Sequence, residues 1–392
     1  MREIRNLGDA CSEIVDCAHK TAPIDEEGQF FAVGTPAMRD GDIDYAEARR
    51  ISYETFRDWT SRLRPRFGDL LLAREAPVGP VARIPEAENV APGQRTVLLR
   101  PREMVVESRF LYYYMISPTM QSELQVRASG STVAHLNVAD VRLLATPGIP
   151  TYPTQKAISE VLGAFDNKIT ANTQIRILVD DLLQTRFRHL TRGSGTAELR
   201  DIADVNVRKT NPQPGSSLRY LDISSVGQGG YANPEKTPWE AAPGRARRGL
   251  TSGDTVWSTV RPNRRSHALV LDSDPLLVAS TGLAVLSPKL GRTAGTYEAT
   301  RREEFVAYLE SVAEGSAYPA VRGDRFETAP IPDLDATEWE TFEQIALPLR
   351  MRVHAANVET RALKGMRDEL LPLLMSGKLR IRDAKQHIAE VI

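Results

Sequence analysis

Residues 155–190 constrain the chain more than any other stretch. At heptad spacing, Ile158, Leu162, Phe165, Ile169, Asn172, Arg176, Val179 and Leu183 fall on one stripe. An apolar stripe of that period, sustained over roughly thirty residues, predicts one long amphipathic helix. Such a helix exceeds an ordinary globular helix in length, so it calls for a coiled-coil partner. The same chain supplies one. Leu349, Val353, Ala356, Thr360, Leu363, Arg367, Leu370 and Leu374 form an equivalent stripe near the C-terminus. Polar residues within both stripes (Asn172 and Arg176; Thr360 and Arg367) suit a role in fixing register. Two long helices, one central and one terminal, divide the sequence into two globular halves.

The halves resemble one another. Gly68-Asp69 opens an apolar run, Leu70 to Arg74, and Gly253-Asp254 opens another, Thr255 to Arg261. Gly130 and Gly315 form a second pair at the same separation, 185 residues, and Asn172 and Asn357 a third. Between those anchors the apolar segment at Phe110 aligns by composition with the one at Phe305, an offset of 195. Leu7-Gly8-Asp9-Ala10 answers Leu199-Arg200-Asp201-Ile202-Ala203, and Thr96 to Arg100 answers Ser280 to Leu286. A unit this long is no solenoid repeat; it is a duplicated domain, each copy followed by a helix. Gly193-Ser194-Gly195 marks the boundary between the copies. The expected divisions are therefore 1–152, a globular domain; 153–192, the central helix; 193–335, a second globular domain; and 336–392, the terminal helix and tail.

Catalytic signatures are missing. The sequence contains no phosphate-loop, dinucleotide, zinc-protease or nucleophile-elbow motif. Gly227-Gln228-Gly229-Gly230 lacks the strand–helix setting of a nucleotide loop, and Asn211-Pro212-Gln213-Pro214 lacks the aromatic of an amino-methyltransferase signature. The six histidines are scattered, and no metal-ligand spacing appears. Cys11 and Cys17 read as free thiols of a reducing compartment. No apolar run reaches the length of a membrane span and no signal peptide opens the chain, which together predict a cytoplasmic protein.

Arginine carries more information. Arg57, Arg62, Arg64, Arg66 and Arg74 crowd the Gly68-Asp69 strand, while Arg245, Arg247 and Arg248 precede the matching strand and Arg261, Arg264 and Arg265 follow it, with Asn263 among them. Net charge is −1, so nucleic-acid binding would rest on local patches of this kind. Phosphate contact and bidentate reading of guanine are the chemistry that arginine clusters suit, and a solvated or locally paired surface is the other reading. Ser131, Thr132 and His135, with Ser316 and Tyr318 in the other half, are candidate phosphate donors or simply turn caps. Tyr112, Tyr113 and Tyr114 point in different directions on a helix, which favours core packing over a base-stacking platform.

GDLLLAREAPVG (68–79), SGSTVAHLNVADV (129–141) ahead of the proline-bounded helix, and GDTVWSTVRPNRRS (253–266), in an alternation of domain and helix, resemble the specificity (S) subunits of Type I restriction–modification systems. The resemblance covers essentially the whole chain. It implies an α+β fold, two similar mixed α/β target recognition domains separated by two long helices that pack as an antiparallel coiled coil. It also implies that each domain reads one half of a bipartite double-stranded DNA target, that two adenine methyltransferase subunits and a restriction/translocase subunit are partners, and that S-adenosylmethionine sits on the methyltransferase, with no catalytic residue or cofactor on this chain. The DNA-binding candidates are then Arg62, Arg64, Arg66, Arg74, Ser131, Thr132, His135, Arg245, Arg247, Arg248, Arg261, Asn263, Arg264, Arg265, Ser316 and Tyr318. The coiled-coil candidates are Ile158, Leu162, Phe165, Ile169, Val179, Leu183, Leu349, Val353, Ala356, Leu363, Leu370 and Leu374. A helix of this length is a rod of about 50 Å, which suits two half-sites separated by an unread spacer. A two-headed protein scaffold without DNA is the alternative. The second half departs from the pattern at Glu314-Gly315-Ser316-Ala317-Tyr318-Pro319, and Pro348 and Pro372 predict ends or kinks in the terminal helix.

Overall fold

A computed structural model describes residues 4–39, 41–128, 134–211, 213–316 and 318–386, and the backbone of 387–391. It divides into two compact units, 1–170 with 360–392, and 171–359. Each unit therefore takes one half of each long helix, Tyr152–Leu190 and Ala336–Met375.

In the first unit, strands Cys11–Asp16, Thr96–Pro101, Leu70–Arg74 and Val78–Arg83 lie in that spatial order in an antiparallel sheet. The central strand, Leu70–Arg74, is buried at every position, as its unbroken apolar run requires. A smaller sheet places Phe30–Val33 between Arg49–Ile51, antiparallel, and Val90–Pro92, parallel. The second unit repeats this plan. Ala203–Val205, Leu283–Pro288, Thr255–Ser258 and His267–Leu269 form the antiparallel sheet, and Ser217–Leu221 runs parallel to Leu277–Ser280 in the other.

The start of each central strand shows why Gly-Asp precedes both. Gly68 and Gly253 adopt positive φ (93° and 99°), which glycine tolerates without strain. The Asp69 carboxylate accepts from the Arg66 backbone N–H at 3.0 Å and from Arg100 Nε at 2.9 Å. Asp254 likewise accepts from the Thr251 N–H at 2.8 Å, and its cation is Arg208. The turn is common to both units, but the arginine that neutralises the buried carboxylate lies in strand Thr96–Pro101 in the first and in the loop after Ala203–Val205 in the second.

The helices after the sheets correct one alignment. Helix Ser108–Ile116 is matched by Thr293–Ala299, and Pro118–Ala128 by Glu303–Ser311, so their starts differ by the same 185 residues as the strands. Phe305 is therefore not the counterpart of Phe110; it belongs to the next helix. The register is set by a contact rather than by aromatic content. Gly68 packs on Ser108 and Gly253 on Thr293, so closely that a methyl group on either glycine would lie 3.4 Å from the facing hydroxyl. Tyr112, Tyr113 and Tyr114 are buried in the core, Tyr114 donating to the Pro147 carbonyl at 2.9 Å. Cys11 and Cys17 are free and buried, and burial pushes the Cys11 thiol up to about 12.

The long helices pack against each other in each unit. In the first, Ile158, Val161 and Leu162 share a core with Leu371 and Leu374. In the second, Asn172 donates to Glu359 at 2.8 Å, Arg350 to Asp180 at 2.7 Å, and Phe187 meets Phe342 with ring centroids 4.9 Å apart. Numbers rise along one helix as they fall along the other, so the pair is antiparallel. Phe165, Val179, Leu183, Val353, Ala356 and Leu363 are buried, while Ile169, Leu349 and Leu370 are half-buried. Arg176 leaves the expected stripe and is exposed; Ile175 packs in its place, because a 3.6-residue helix drifts from a strict heptad. Pro348 and Pro372 do not end the second helix, which runs from Ala336 to Met375. Both Pro348 and Gln344, whose carbonyl loses its donor, are exposed and open to water, and Pro372 lies in the last turn. An Asp335–Glu338 capping box starts this helix, with reciprocal bonds of 2.9 and 2.8 Å.

Candidate nucleic-acid interface

The second unit presents Arg261, Asn263, Arg264 and Arg265 on one loop, 259–266, between Thr255–Ser258 and His267–Leu269. The backbone turns sharply there, with Arg261 and Arg265 both left-handed (φ 52° and 53°) around a short turn at Pro262–Arg264. Arg261 donates its N–H to the Pro319 carbonyl at 2.8 Å, and its guanidinium lies 4.6 Å over the Tyr318 ring. Tyr318 is 70% exposed. Asn263 and Arg264 are exposed to solvent, and the Gln228 amide donates to the Arg264 carbonyl at 3.2 Å. Arg245 joins them, since its carbonyl accepts from Thr281 at the same end of the sheet. Ser316 is exposed. The loop thus offers planar cations, an amide and an aromatic face, the groups that read phosphates and base edges.

His267 supports this loop from behind. It is buried, stacked 4.8 Å from Trp257, and its Nδ1 lies 2.6 Å from the Arg265 carbonyl. A carbonyl only accepts, so Nδ1 carries the proton. Burial, helped by the Arg301 charge, pushes the imidazole down to about 4 and keeps it neutral. Its alternation with Ala268 and Leu269 in a strand is a weak sequence signal for an inward-facing residue.

Other arginines are committed elsewhere. Arg265 pairs with Glu303, whose hydrogen bond raises its pKa further. Arg248, a DNA-binding candidate by sequence, is half-buried and donates to the Leu283 carbonyl within the sheet. Arg247 donates to the Ala246 carbonyl at 2.8 Å.

The first unit separates what the sequence groups. Arg62, Arg64 and Arg66 precede the Leu70–Arg74 strand, whereas Arg74 and His135 sit at its other end, roughly 16 Å away at strand rise. Arg64 lies 5.6 Å over Phe56, and Arg66 pairs with Glu103 at 2.6 Å. Arg74 corrects the expectation of an exposed contact. It is 4% exposed and donates to the Leu136 carbonyl at 3.0 Å, with Asp16 at 3.3 Å and His19 and His135 on either side. An arginine at the end of a strand can turn inward when a carbonyl and a carboxylate wait there, and linear spacing does not reveal them. His135 is exposed, 3.4 Å from Glu75. Ser131 and Thr132 lie outside the described residues. Asp16, Cys17 and His19 bring their ligand atoms within 4.8 Å, but Arg74 already supplies positive charge to that cluster.

Even so, the two loop ends correspond. Residues 75 and 135 bridge in the first unit as 260 and 320 do in the second, and Ala76 shares the positive φ of Arg261. Fold and site together define a class: a duplicated two-sheet module, its loop ends polar and basic, carried on paired antiparallel helices.

Comparison with known proteins shows what this class is similar to. Residues 33–180 match the Type I restriction modification DNA specificity domain. The chain is 31% identical over 141 residues to the Type I restriction enzyme MjaIX specificity subunit of Methanocaldococcus jannaschii, a match covering 36% of this chain and 32% of that protein. The match therefore spans about a third of the relative's length. The crystal structure of the Type I restriction–modification system S subunit from M. genitalium aligns with a TM-score of 0.59 at 13% identity, over 94% of this chain and 95% of that one. Residues 33–180 are thus similar to that specificity domain, and the chain as a whole shares the fold of the M. genitalium S subunit. Among the described residues, no helix is long and apolar enough to cross a membrane.

Proposed function

We propose that this chain is the DNA sequence-recognition subunit of a Type I restriction–modification complex. The globular parts, 1–152 and 193–335, act as two target recognition domains that each read one half of a bipartite duplex target. The paired helices, 153–192 and 336–392 with the tail, dock two adenine methyltransferase subunits and a restriction/translocase subunit. Chemistry resides on those partners, S-adenosylmethionine included, and this chain contributes recognition alone.

The observation that carries this reading is the loop at Arg261–Arg265. A folded protein gains little by stacking Arg261 on a largely exposed tyrosine beside an exposed Asn263 and Arg264. A DNA surface gives that arrangement phosphates and base edges to bind. The same loop end recurs in the first unit, as reading two half-sites requires.

The test is a map of methylated adenine in a host carrying this gene, before and after its deletion, with neighbouring genes intact. Loss of methylation at one gapped motif is the expected result. If the map is unchanged, the affinity of the purified complex for DNA should still fall steeply with salt; a flat salt response on top of an unchanged map rejects the reading. Within the loop, Arg261→Ala or Arg264→Ala should weaken discrimination at the second half-site by about tenfold or more per lost base contact.

A further inference from the structure

Because the candidate arginines of the first unit lie at the wrong end of its central strand or are buried, its own contact surface must be sought at the loop end. The cavity there has a volume of about 380 Å³. Its floor is made by two backbones in close approach. The Gly93 N–H donates to the Val33 carbonyl at 2.8 Å, and a methyl group at Gly93 would lie 2.5 Å from the Gly34 nitrogen. Above this floor stand Arg49, Gln94 and Arg95, all exposed.

These three residues are brought together by the smaller sheet. Antiparallel pairing sets Arg49 opposite Ala32, and parallel pairing sets Pro92 opposite Val33, so Gly34, Arg49 and Gly93–Arg95 share one end. Hydrogen bonds join that end to the loops around Arg74. The Thr35 hydroxyl donates to the Glu75 carbonyl at 3.3 Å, the Arg74 N–H to the Arg95 carbonyl at 2.9 Å, and the Leu136 N–H to the Arg74 carbonyl at 2.9 Å. Arg95 is held in a left-handed backbone (φ 67°), its Nε 3.6 Å from Glu75. Among the described residues the side chains of Arg49 and Gln94 have no hydrogen-bond or ion-pair partner. Glu47, a carboxylate on the rim, is 3.9 Å from Arg39.

We infer that Arg49, Gln94 and Arg95 form the DNA-contacting surface of the first unit, reading the edges of base pairs in one half-site of a duplex. This deepens the function proposed above and rests on it. Arginine pairs bidentately with guanine and glutamine with adenine in the major groove, and a second arginine can hold the adjacent phosphate. The surface is the spatial counterpart of the Arg261–Arg265 loop, yet it draws its side chains from other segments. In the first unit the equivalents of Arg261 and Arg264 are Ala76 and Gly79, which bring no charge.

The experiment is selection from a random duplex library by the full-length chain, co-purified with its adenine methyltransferase, followed by sequencing. The wild type should enrich a two-part motif. Arg49→Ala and the double variant Gln94→Ala/Arg95→Ala should each lower base preference in one part by about tenfold or more, leaving the other part as an internal check that the chain is folded. Arg62→Ala/Arg64→Ala should leave both parts intact. If the rim variants keep both preferences, or if the Arg62/Arg64 variant erodes one, the assignment is wrong. If the wild type enriches no motif, the DNA-recognition reading itself fails, and this inference with it.

Discussion

The two units bury the same aromatic ring and surround it with charges arranged in opposite senses. Tyr112 in the first and Tyr297 in the second are equivalent and enclosed, and arginine stacks on both: Arg83 at 4.9 Å on one, Arg301 at 4.9 Å and Arg350 at 4.8 Å on the other. The carboxylates differ. In the first unit, Asp166 of the Tyr152–Leu190 helix accepts from the Tyr113 hydroxyl at 2.6 Å and from Arg367 of the other long helix at 2.9 Å. In the second, the position of Tyr113 is taken by Glu298, which meets Arg350 of the Ala336–Met375 helix, while Asp180 comes from the opposite helix. Where one unit has acid on the helix following its own domain, the other has base. Duplication preserved the geometry of helix docking and left its charge polarity free, because a buried pair needs only a complement, whichever side supplies it.

The difference predicts unequal sensitivity. The largest effect should be Arg350→Met. It leaves Glu298, 2% exposed, with Arg301 alone at 3.2 Å, and Arg301 must also serve Asp180. Breaking a buried pair from one side costs about 3 kcal/mol or more, and urea titration of the full chain should show that loss. Second is pH. The folded pKa of His267 lies near 4, below the unfolded value, so its contribution is complete above about pH 6.5 and declines as pH falls toward 4. At pH 5 the deficit should be about 2 kcal/mol. Hydrogen exchange should place it in the second unit, and His267→Gln should flatten the dependence. Asp180 adds to this only at lower pH. Burial alone would raise its carboxyl, but Arg301 and Arg350 outweigh burial and hold it well below the usual range, so its share is lost only in strong acid.

Third, Arg367→Met should cost only about 1 kcal/mol, because Asp166 keeps the Tyr113 hydroxyl and the Arg83 guanidinium at 3.5 Å. Equal losses for Arg350→Met and Arg367→Met would break the comparison. The smallest difference should separate Gly68→Ala from Gly253→Ala. Both glycines hold the same positive φ before the same strand, so each should lose about 1 kcal/mol and the two midpoints should agree.

Much of this organisation is legible in residue order. The heptad stripe locates both long helices, and Gly68-Asp69 and Gly253-Asp254 mark two copies of one strand start. Residue order misleads where composition stands in for contact. Phe110 and Phe305 look alike as apolar segments, yet packing of Ser108 on Gly68 and Thr293 on Gly253 sets the register. The prolines of the terminal helix look like breaks, although solvent can satisfy the carbonyl that Pro348 releases.

The periodic helices and the tight turns were set by residues a few positions apart, and the duplication shows in residue order as segments repeated 185 positions on. Which arginines face outward was decided only in three dimensions. Arg74 turns inward because Asp16 and the Leu136 carbonyl, far away in the chain, converge on it. Arg49 and Arg95 share a rim because Phe30–Val33 lies between strands of opposite direction. A side chain's surroundings at a loop end are assembled by long-range strand pairing, and local spacing carries no record of that pairing.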